Sequence, residues 1–160
     1  MTSSRGFTLL EMMLVLVLLG VSSSLVMLSF PAREITLTRE GERLSAWLNG
    51  VAERAEREGV NYGVIFSRDG WHSVAEQQPA LKDAYRLPAG ITLRLSLEGQ
   101  DVALSSREKT DRQPQVWLYP GGETTIFSIV LMQGKCEWQL NAPGYFVFDT
   151  MEMRCNDTES

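Results

Sequence analysis

An acidic residue, Glu11, lies inside the apolar run of residues 7–30 near the N-terminus. An ionised carboxylate in hydrocarbon costs about 2.5–3.5 kcal/mol on insertion-based scales. We therefore expect a nearby cation to neutralise Glu11. A cut between Gly6 and Phe7 would create such a cation, because the new α-amino group would lie four residues before Glu11, within reach on the same helix face.

Two cysteines, Cys136 and Cys155, lie in the second half of the chain. They are too few for a closed zinc site, they do not form a CxxC motif, and His72 does not complete a metal site with them at a familiar spacing. In an oxidising compartment they would most simply pair, whereas in the cytosol they would remain two ordinary thiols. Their chemistry therefore depends on the compartment that the N-terminus specifies.

Catalytic and metal-binding patterns are weak. His72 follows Trp71 just after a tight turn, and no GxSxG motif accompanies it, so a surface histidine on a hairpin is favoured over a catalytic one. The carboxylates near the C-terminus lack the ligand order of an EF-hand and are interpreted as a solvated tail: Asp149, Glu152, Asp157 and Glu159. The tryptophans are scattered and are predicted to be core or interface residues: Trp47, Trp71, Trp117 and Trp138. We predict no catalytic residue, no metal site and no cofactor.

The apolar run of residues 7–30 has three interpretations. As a helix it would be about 36 Å long, enough to span a bilayer core of about 30 Å. A cleaved secretory signal is disfavoured because Glu11 interrupts the apolar region and more apolar sequence follows the serines at 22–24. A plain transmembrane anchor leaves Glu11 unexplained. The third interpretation is cleavage between Gly6 and Phe7 with retention of the apolar helix.

The stretch "RGFTLLE" resembles the class III leader of type IV pilins and type II secretion pseudopilins, and it favours the third interpretation. Gly6, Phe7 and Glu11 match that pattern position for position. The resemblance implies that a prepilin peptidase cuts after Gly6 and methylates the amine of Phe7. It also implies that Glu11 neutralises the amine of a neighbouring subunit, although a salt bridge within its own helix remains open.

Beyond Pro31 the chain reads as an amphipathic helix that ends at Gly59. Its apolar face is predicted from the spacing of Leu44, Leu48, Val51, Ala52 and Ala55. Arg54 and Glu58 occupy i,i+4 positions suited to an ion pair. The charged segment 105–114 is predicted to be a mobile loop.

Short strands follow Gly59. The first two form a predicted hairpin around "SRDG", and the third alternates cleanly, with Leu93 and Leu95 on one side and Thr92 and Arg94 on the other. The remaining predicted strands are "DVAL", "QVWLY", "TTIFSIVL", "CEWQL" and "YFVFD". The stretches "YGVIFSRDGW" and "LYPGGETTIFSIVL" resemble the H-type minor pseudopilins. This resemblance implies an α+β, pilin-like fold in which a long N-terminal helix packs against antiparallel sheets, with a small sandwich-like C-terminal domain.

The resulting division of the chain is a cleaved leader over 1–6, a transmembrane and filament-core helix over 7–30, an amphipathic helix over 31–59 and a β-rich periplasmic domain over 60–160. With that leader, the domain after residue 30 would lie in the periplasm, where a disulfide between Cys136 and Cys155 is expected. The net charge of −5 argues against nucleic acid as a partner.

The resemblance implies a structural, non-enzymatic subunit in the bacterial inner membrane that joins a periplasmic pseudopilus near its tip and helps to export folded proteins. The implied partners are other minor pseudopilins, the major pseudopilin, prepilin peptidase and the inner membrane. The closest alternative is a minor pilin of a type IV pilus, in some cases one that acts in DNA uptake. A membrane-tethered periplasmic enzyme or binding module is the alternative from another class, and a deep polar pocket around His72 would favour it.

Overall fold

The computed structural model describes residues 9–27, 32–106 and 113–156 of the 160-residue chain. Helix α1 (Leu9–Met27) belongs to one compact unit, Met1–Ala32, and the second unit is Arg33–Ser160. Helix α2 (Ala32–Glu58) opens the second unit, and nine strands follow it within the described residues: β1 (Tyr62–Ser67), β2 (Gly70–Ala75), β3 (Gln78–Arg86), β4 (Thr92–Leu97), β5 (Gln100–Val102), β6 (Val116–Leu118), β7 (Phe127–Gln133), β8 (Cys136–Ala142) and β9 (Asp149–Cys155).

Helix α2 forms because its apolar residues recur every three or four positions. All of the residues predicted for its apolar face are buried: Leu44, Leu48, Val51, Ala52 and Ala55. The helix ends where the sequence predicted, since Gly59 adopts a φ of 64° and its backbone N–H donates to the carbonyl oxygen of Ala55 at 2.9 Å. A left-handed residue at this position stops the helix, and glycine adopts that conformation without strain.

Sheet A contains four strands in the order β3-β2-β1-β6, and every neighbouring pair is antiparallel. The predicted hairpin is confirmed: Tyr62 pairs with Ala75 at one end and Ser67 with Gly70 at the turn. An added Cβ at Gly70 would lie 2.0 Å from the carbonyl oxygen of Tyr85, so the third strand can approach only a glycine there. All six residues of β1 are buried, as expected for an interior strand that lies between β2 and β6.

Sheet B contains five strands in the order β5-β4-β7-β8-β9, again with antiparallel neighbours. The predicted alternation of β4 is confirmed, because Leu93 and Leu95 are buried while Thr92 and Arg94 are exposed. The apolar face of α2 and residues of both sheets form one core, in which the rings of Phe66 in β1 and Phe127 in β7 lie 6.3 Å apart. The α+β class predicted from the sequence is therefore confirmed.

The close approach of α2 to sheet B depends on Gly41. A Cβ added at Gly41 would lie 2.3 Å from two ring atoms of Trp138 in β8. The tryptophan ring thus occupies the space that any other side chain at position 41 would need. By contrast, a Cβ added at Gly50 meets no atom within 4 Å.

The end of the chain differs from the sequence-based prediction. The solvated tail predicted from Asp149 and Glu152 is wrong for these residues, because both lie in β9, the edge strand that pairs with β8. The exposed side chains of Asp149–Glu152 explain the error, since an edge strand that is exposed on both faces has the composition of a tail. Asp157 and Glu159 lie outside the described residues, as do Pro31 and the part of the predicted loop at 107–112.

Candidate functional site

Helix α1 carries Glu11 in its first turn, where a carboxylate interacts favourably with the positive end of the helix dipole. The apolar side chains from Leu9 to Leu19 are all exposed, from 44% at Val15 to 79% at Leu9. Gly6 and Phe7, the predicted cleavage and methylation positions, lie outside the described residues. Among the residues that the structure describes, no helix is both long enough and apolar enough to cross a membrane.

Cys136 and Cys155 are joined by a disulfide in the structure. They face each other as the paired residues of β8 and β9, so the bond fastens the end of the edge strand to its neighbour. From the sequence alone, whether these two cysteines pair depends on the redox state of the compartment; in the structure they are paired. A disulfide of this kind persists in an oxidising environment such as the periplasm.

A buried carboxylate, Glu40, connects α2 to sheet A. Its side chain accepts a hydrogen bond of 2.5 Å from the Tyr85 hydroxyl, and the residue is only 4% exposed. The guanidinium of Arg43 lies 5.0 Å from the centre of the Tyr85 ring, and the centre of the Trp71 ring lies 4.7 Å from it. Burial and the hydrogen bond to Glu40 raise the pKa of Tyr85 above its usual range.

A second group of a tyrosine, a glutamate and an arginine lies at the other end of α2, where the glutamate is exposed and the tyrosine is buried. The Tyr62 hydroxyl donates to Glu58 at 2.5 Å, and the Arg54 guanidinium lies 5.6 Å from the centre of the Tyr62 ring. The hydrogen bond to Glu58 and burial raise the pKa of Tyr62. Arg54 forms its ion pair with Asp83 of β3, so the structure shows a tertiary contact for Arg54 in place of the i,i+4 pair with Glu58 that the spacing suggested.

Sequence reasoning missed Glu40, although a signal was available. Leu37, Glu40 and Leu44 follow one another at the three- and four-residue spacing of the buried face. A glutamate at such a position indicates a hydrogen-bonding partner in the core, because a buried carboxylate is stable only when it is paired. The partner, Tyr85, lies in β3, and this strand was not predicted.

A groove of about 600 Å³ runs between α2 and β9. Residues of both elements line it, including Glu42 and Asn49 of α2 and Met151 and Met153 of β9. His72 is not among its lining residues. His72 lies on β2 opposite Ile65 and is half-buried. This groove is therefore not the polar pocket around His72 that would have favoured an enzyme.

The predicted core or interface role of the tryptophans agrees with their burial: Trp71 and Trp138 are buried, and Trp47 and Trp117 are half-buried. Among the described residues, no group of three or more histidine, cysteine, aspartate or glutamate side chains is arranged to hold a metal ion.

The sequence matches two groups of known proteins. Residues 1–27 match the prokaryotic N-terminal methylation motif. The chain is 31% identical over 147 residues to type II secretion system protein H of Pseudomonas aeruginosa, covering 83% of this chain and 86% of the relative. It is 35% identical over 145 residues to type II secretion system protein H of Klebsiella pneumoniae, covering 79% of this chain and 85% of the relative.

The fold is similar to solved structures of pseudopilins. The crystal structure of the minor pseudopilin EpsH from the type II secretion system of Vibrio cholerae superimposes with a TM-score of 0.62 at 16% identity, covering 78% of this chain and 99% of that chain. The solution structure of Escherichia coli GspH superimposes with a TM-score of 0.53 at 19% identity, covering 79% of this chain and 94% of that chain. The predicted pilin-like fold is therefore confirmed.

These matches support the secretion-system interpretation of the leader over the type IV pilus interpretation. The exposed apolar side chains around Glu11 on α1 and the disulfide-bonded β-rich unit agree with that assignment. Since relatives at 31% and 35% identity span most of its length, the chain belongs to the type II secretion system protein H family.

Proposed function

We propose that this protein is a structural minor pseudopilin that is anchored in the inner membrane by its N-terminal helix and then moves into a periplasmic pseudopilus. The observation that carries the proposal is the exposure of α1: its apolar side chains from Leu9 to Leu19 are 44–79% exposed. A helix that is apolar on all sides needs lipid or other helices around it. A membrane supplies the first environment, and the core of a helical filament supplies the second.

The proposed processing site is the bond between Gly6 and Phe7, followed by methylation of the Phe7 amine. The match of residues 1–27 to the N-terminal methylation motif supports it. The four proposed segments are a leader over 1–6, a membrane and filament helix over 7–30, an amphipathic helix over 31–59 and a periplasmic domain over 60–160. The disulfide between Cys136 and Cys155 supports the periplasmic location of the last segment.

Glu11 is proposed to neutralise the amine of a neighbouring subunit in the filament. Its position in the first turn of α1 supports this role, because the side chain lies near the end of the helix that carries the amine. A charged group in an apolar environment is strongly destabilising unless an opposite charge lies next to it. Subunits would therefore enter the filament in a defined axial register, with each carboxylate next to an amine.

The proposed partners are the other minor pseudopilins and the major pseudopilin, with this subunit near the filament tip. Prepilin peptidase acts on the precursor. The subunit contributes mechanically to the export of folded proteins and performs no catalysis of its own. The relatives of this chain, which are components of a secretion system, support this non-enzymatic role.

The processing proposal is tested by intact-mass spectrometry of the protein from cells with and without prepilin peptidase. We expect the loss of residues 1–6 and one added methyl group on Phe7, both dependent on the peptidase. A retained N-terminus, or a cut near Ser24, would contradict the proposal.

The assembly proposal is tested by replacing Glu11. Glu11→Leu should leave membrane insertion intact and reduce co-purification with the other pseudopilins by about tenfold or more, because it leaves a buried amine without its counter-charge. Glu11→Asp, which keeps the charge, is the matched variant and should retain part of the assembly. Equal co-purification of wild type and Glu11→Leu would show that the carboxylate acts only within its own helix.

A further inference from the structure

Three exposed side chains form a row across the short paired segments that follow β6. The backbone bridge of Leu118 with Thr124 places Tyr119 opposite Glu123, and a second bridge pairs Glu123 with Tyr145. The Tyr119 N–H donates to the Glu123 carbonyl oxygen at 2.9 Å, which fixes this register. Directly paired residues project from the same face of an antiparallel ladder, with Cβ atoms about 4.5–5.5 Å apart. Glu123 therefore lies between the two tyrosines on one face of the ladder.

This row faces outwards. Tyr119 is 40% exposed and Tyr145 is 65% exposed, and Glu123 is also exposed. The adjacent pair on the opposite face, Leu118 and Thr124, is buried. The inner residues thus attach the segments to the core, while the outer row is left available for contact with another molecule.

An apolar side chain extends the exposed surface around the row. Val147, two residues beyond Tyr145, is 56% exposed, and Ile126 is 50% exposed. A Cβ added at Gly144 would lie 3.4 Å from Ile126, so Ile126 lies on the face of this segment opposite to Tyr145 and is not part of the row's surface. Tyrosine is among the residue types enriched at the centre of protein–protein interfaces.

The platform that carries the row is held by backbone hydrogen bonds. The Gly122 N–H donates to Tyr119 at 3.0 Å, the Thr124 N–H to Gly144 at 2.9 Å and the Phe146 N–H to Gly122 at 3.0 Å. Because the two segments are tied to each other, the positions of the two tyrosines relative to Glu123 are set before any partner binds. Such pre-organisation lowers the entropic cost of binding.

Glu123 has no ion pair or side-chain hydrogen bond with the residues that the structure describes. Its carboxylate lies over Gly121, where an added Cβ would come within 2.5 Å of one carboxylate oxygen. The segments 119–126 and 143–149 contain Glu123 and Asp149 but no lysine or arginine. The row therefore presents a negative charge and two aromatic rings on one face, with no cation from its own segments to neutralise that charge.

We propose that Tyr119, Glu123 and Tyr145 form a binding site for a lysine or arginine side chain of a neighbouring protein subunit. The carboxylate would pair with the cation, and the tyrosine rings would contact it through cation–π interactions. Val147 would bury an apolar surface next to that cation. This inference rests on the proposed function, because it assumes that the subunit has neighbours in a filament.

The proposed partner is a protein of different sequence, and a two-fold dimer of this chain does not fit the surface. Two copies that met through this surface about a two-fold axis would bring Glu123 and Asp149 of one copy towards the same residues of the other. Like charges placed against each other disfavour association. A subunit whose interface has an apolar centre and at least one lysine or arginine fits the row without such repulsion.

The test uses the full chain in cells that contain the secretion system. The photoreactive amino acid p-benzoylphenylalanine is placed at Val147, next to the row but outside it, and at the exposed Gln100 in the β4–β5 hairpin as the positional control. Cross-links formed on irradiation are mapped to residues of the partner by mass spectrometry. We expect a cross-link from position 147 to a subunit of different sequence, close to a lysine or arginine.

The charge dependence of this cross-link decides the proposal. Glu123→Gln should lower its yield by about fivefold, and Glu123→Lys by more, because the first removes the ion pair and the second adds repulsion. Reversing the charge of the partner's mapped lysine or arginine should restore the yield with Glu123→Lys. Glu53→Gln, which neutralises an exposed carboxylate of α2, is the matched control and should change nothing. Gly121→Ala should also lower the yield, because it displaces the Glu123 carboxylate.

Three results would overturn the cation site: a yield that is unaffected by Glu123→Gln, a cross-link to a second copy of this chain, or a yield at position 147 no higher than at position 100. The intact-mass measurement separates this failure from that of the proposed function. If Phe7 is methylated and the subunit co-purifies with the pseudopilins, but the cross-link yield does not change in the Glu123 variants, only the cation site is wrong. If processing itself fails, the proposed function is wrong.

Discussion

The two halves of helix α2 carry the same kinds of residue in very different surroundings. Each half contains a glycine, an arginine above a tyrosine ring, and a glutamate that accepts a hydrogen bond from that tyrosine: Glu40, Gly41 and Arg43 in the N-terminal half, and Gly50, Arg54 and Glu58 in the C-terminal half. The hydrogen bond is 2.5 Å long in both halves. Bond length alone would therefore assign the two halves the same importance.

The two hydrogen bonds differ in how deeply their glutamates are buried and in how far apart their partners lie along the chain. Glu40 is buried and its tyrosine lies 45 residues away, whereas Glu58 is exposed and its tyrosine lies four residues away. The first bond fixes α2 against sheet A, and the second joins the end of the helix to the strand that follows it directly. Tyr62 itself is fully buried, but water reaches the exposed Glu58 carboxylate and does not reach that of Glu40, so the burial of the carboxylate decides what each bond contributes.

The largest expected difference comes from removing the two carboxylates. Glu40→Ala leaves the Tyr85 hydroxyl without its acceptor and opens space in the core, and should lower the free energy of unfolding by about 2–3 kcal/mol. Glu58→Ala is the matched change at the exposed end and should alter it by no more than about 1 kcal/mol. Urea denaturation monitored by tryptophan fluorescence measures both. Equal losses in the two variants would break the comparison.

The glycines should respond with opposite signs. Gly41→Ala forces a Cβ to within 2.3 Å of the Trp138 ring, and we expect a net loss of about 1–2 kcal/mol after the gain in helix propensity. Gly50→Ala has open space and should raise stability by about 0.5–1 kcal/mol. Thermal melting of both variants provides the measurement. A stabilising Gly41→Ala would show that Trp138 moves aside at little cost.

The smallest predicted effect lies at alkaline pH. Because the pKa values of Tyr62 and Tyr85 are raised in the folded state, the unfolded chain loses these protons first as the pH rises above about 10. Their stabilising contribution is complete below that pH and is lost as the pH rises through the folded-state pKa. Tyr85→Phe and Tyr62→Phe should each weaken the alkaline loss of stability, as measured by urea denaturation from about pH 8 upwards. An unchanged slope in Tyr85→Phe would contradict the assignment.

Much of the fold could be predicted from local patterns. The buried face of α2, its end at Gly59 and the β1–β2 hairpin all follow from periodicity and turn residues, which act over short distances along the chain. The alternation of Leu93 and Leu95 with Thr92 and Arg94 was sufficient to identify β4. The methylation motif was also recognisable, because its residues are contiguous.

The contacts that were missed depend on distant parts of the chain. Strand β3 contains a proline and several charged residues, and its pairing with β2 is irregular, so no alternation marks it. Arg54 could be placed on a helix from the sequence, but its pairing with Asp83 depends on where β3 lies. The row of Tyr119, Glu123 and Tyr145 joins two segments about 20 residues apart, and only the register of the pairing brings them together.

The position of β9 at the edge of sheet B also determines when that sheet can be completed. The strand is contributed by the last described residues, so β8 remains without a neighbour on that side until synthesis has reached Cys155. The thiol of Cys136 is likewise without its partner until then. A nascent chain that stalls or is cut before Cys155 would therefore expose an unpaired strand edge together with a free thiol, so an incomplete subunit differs from a finished one in both respects.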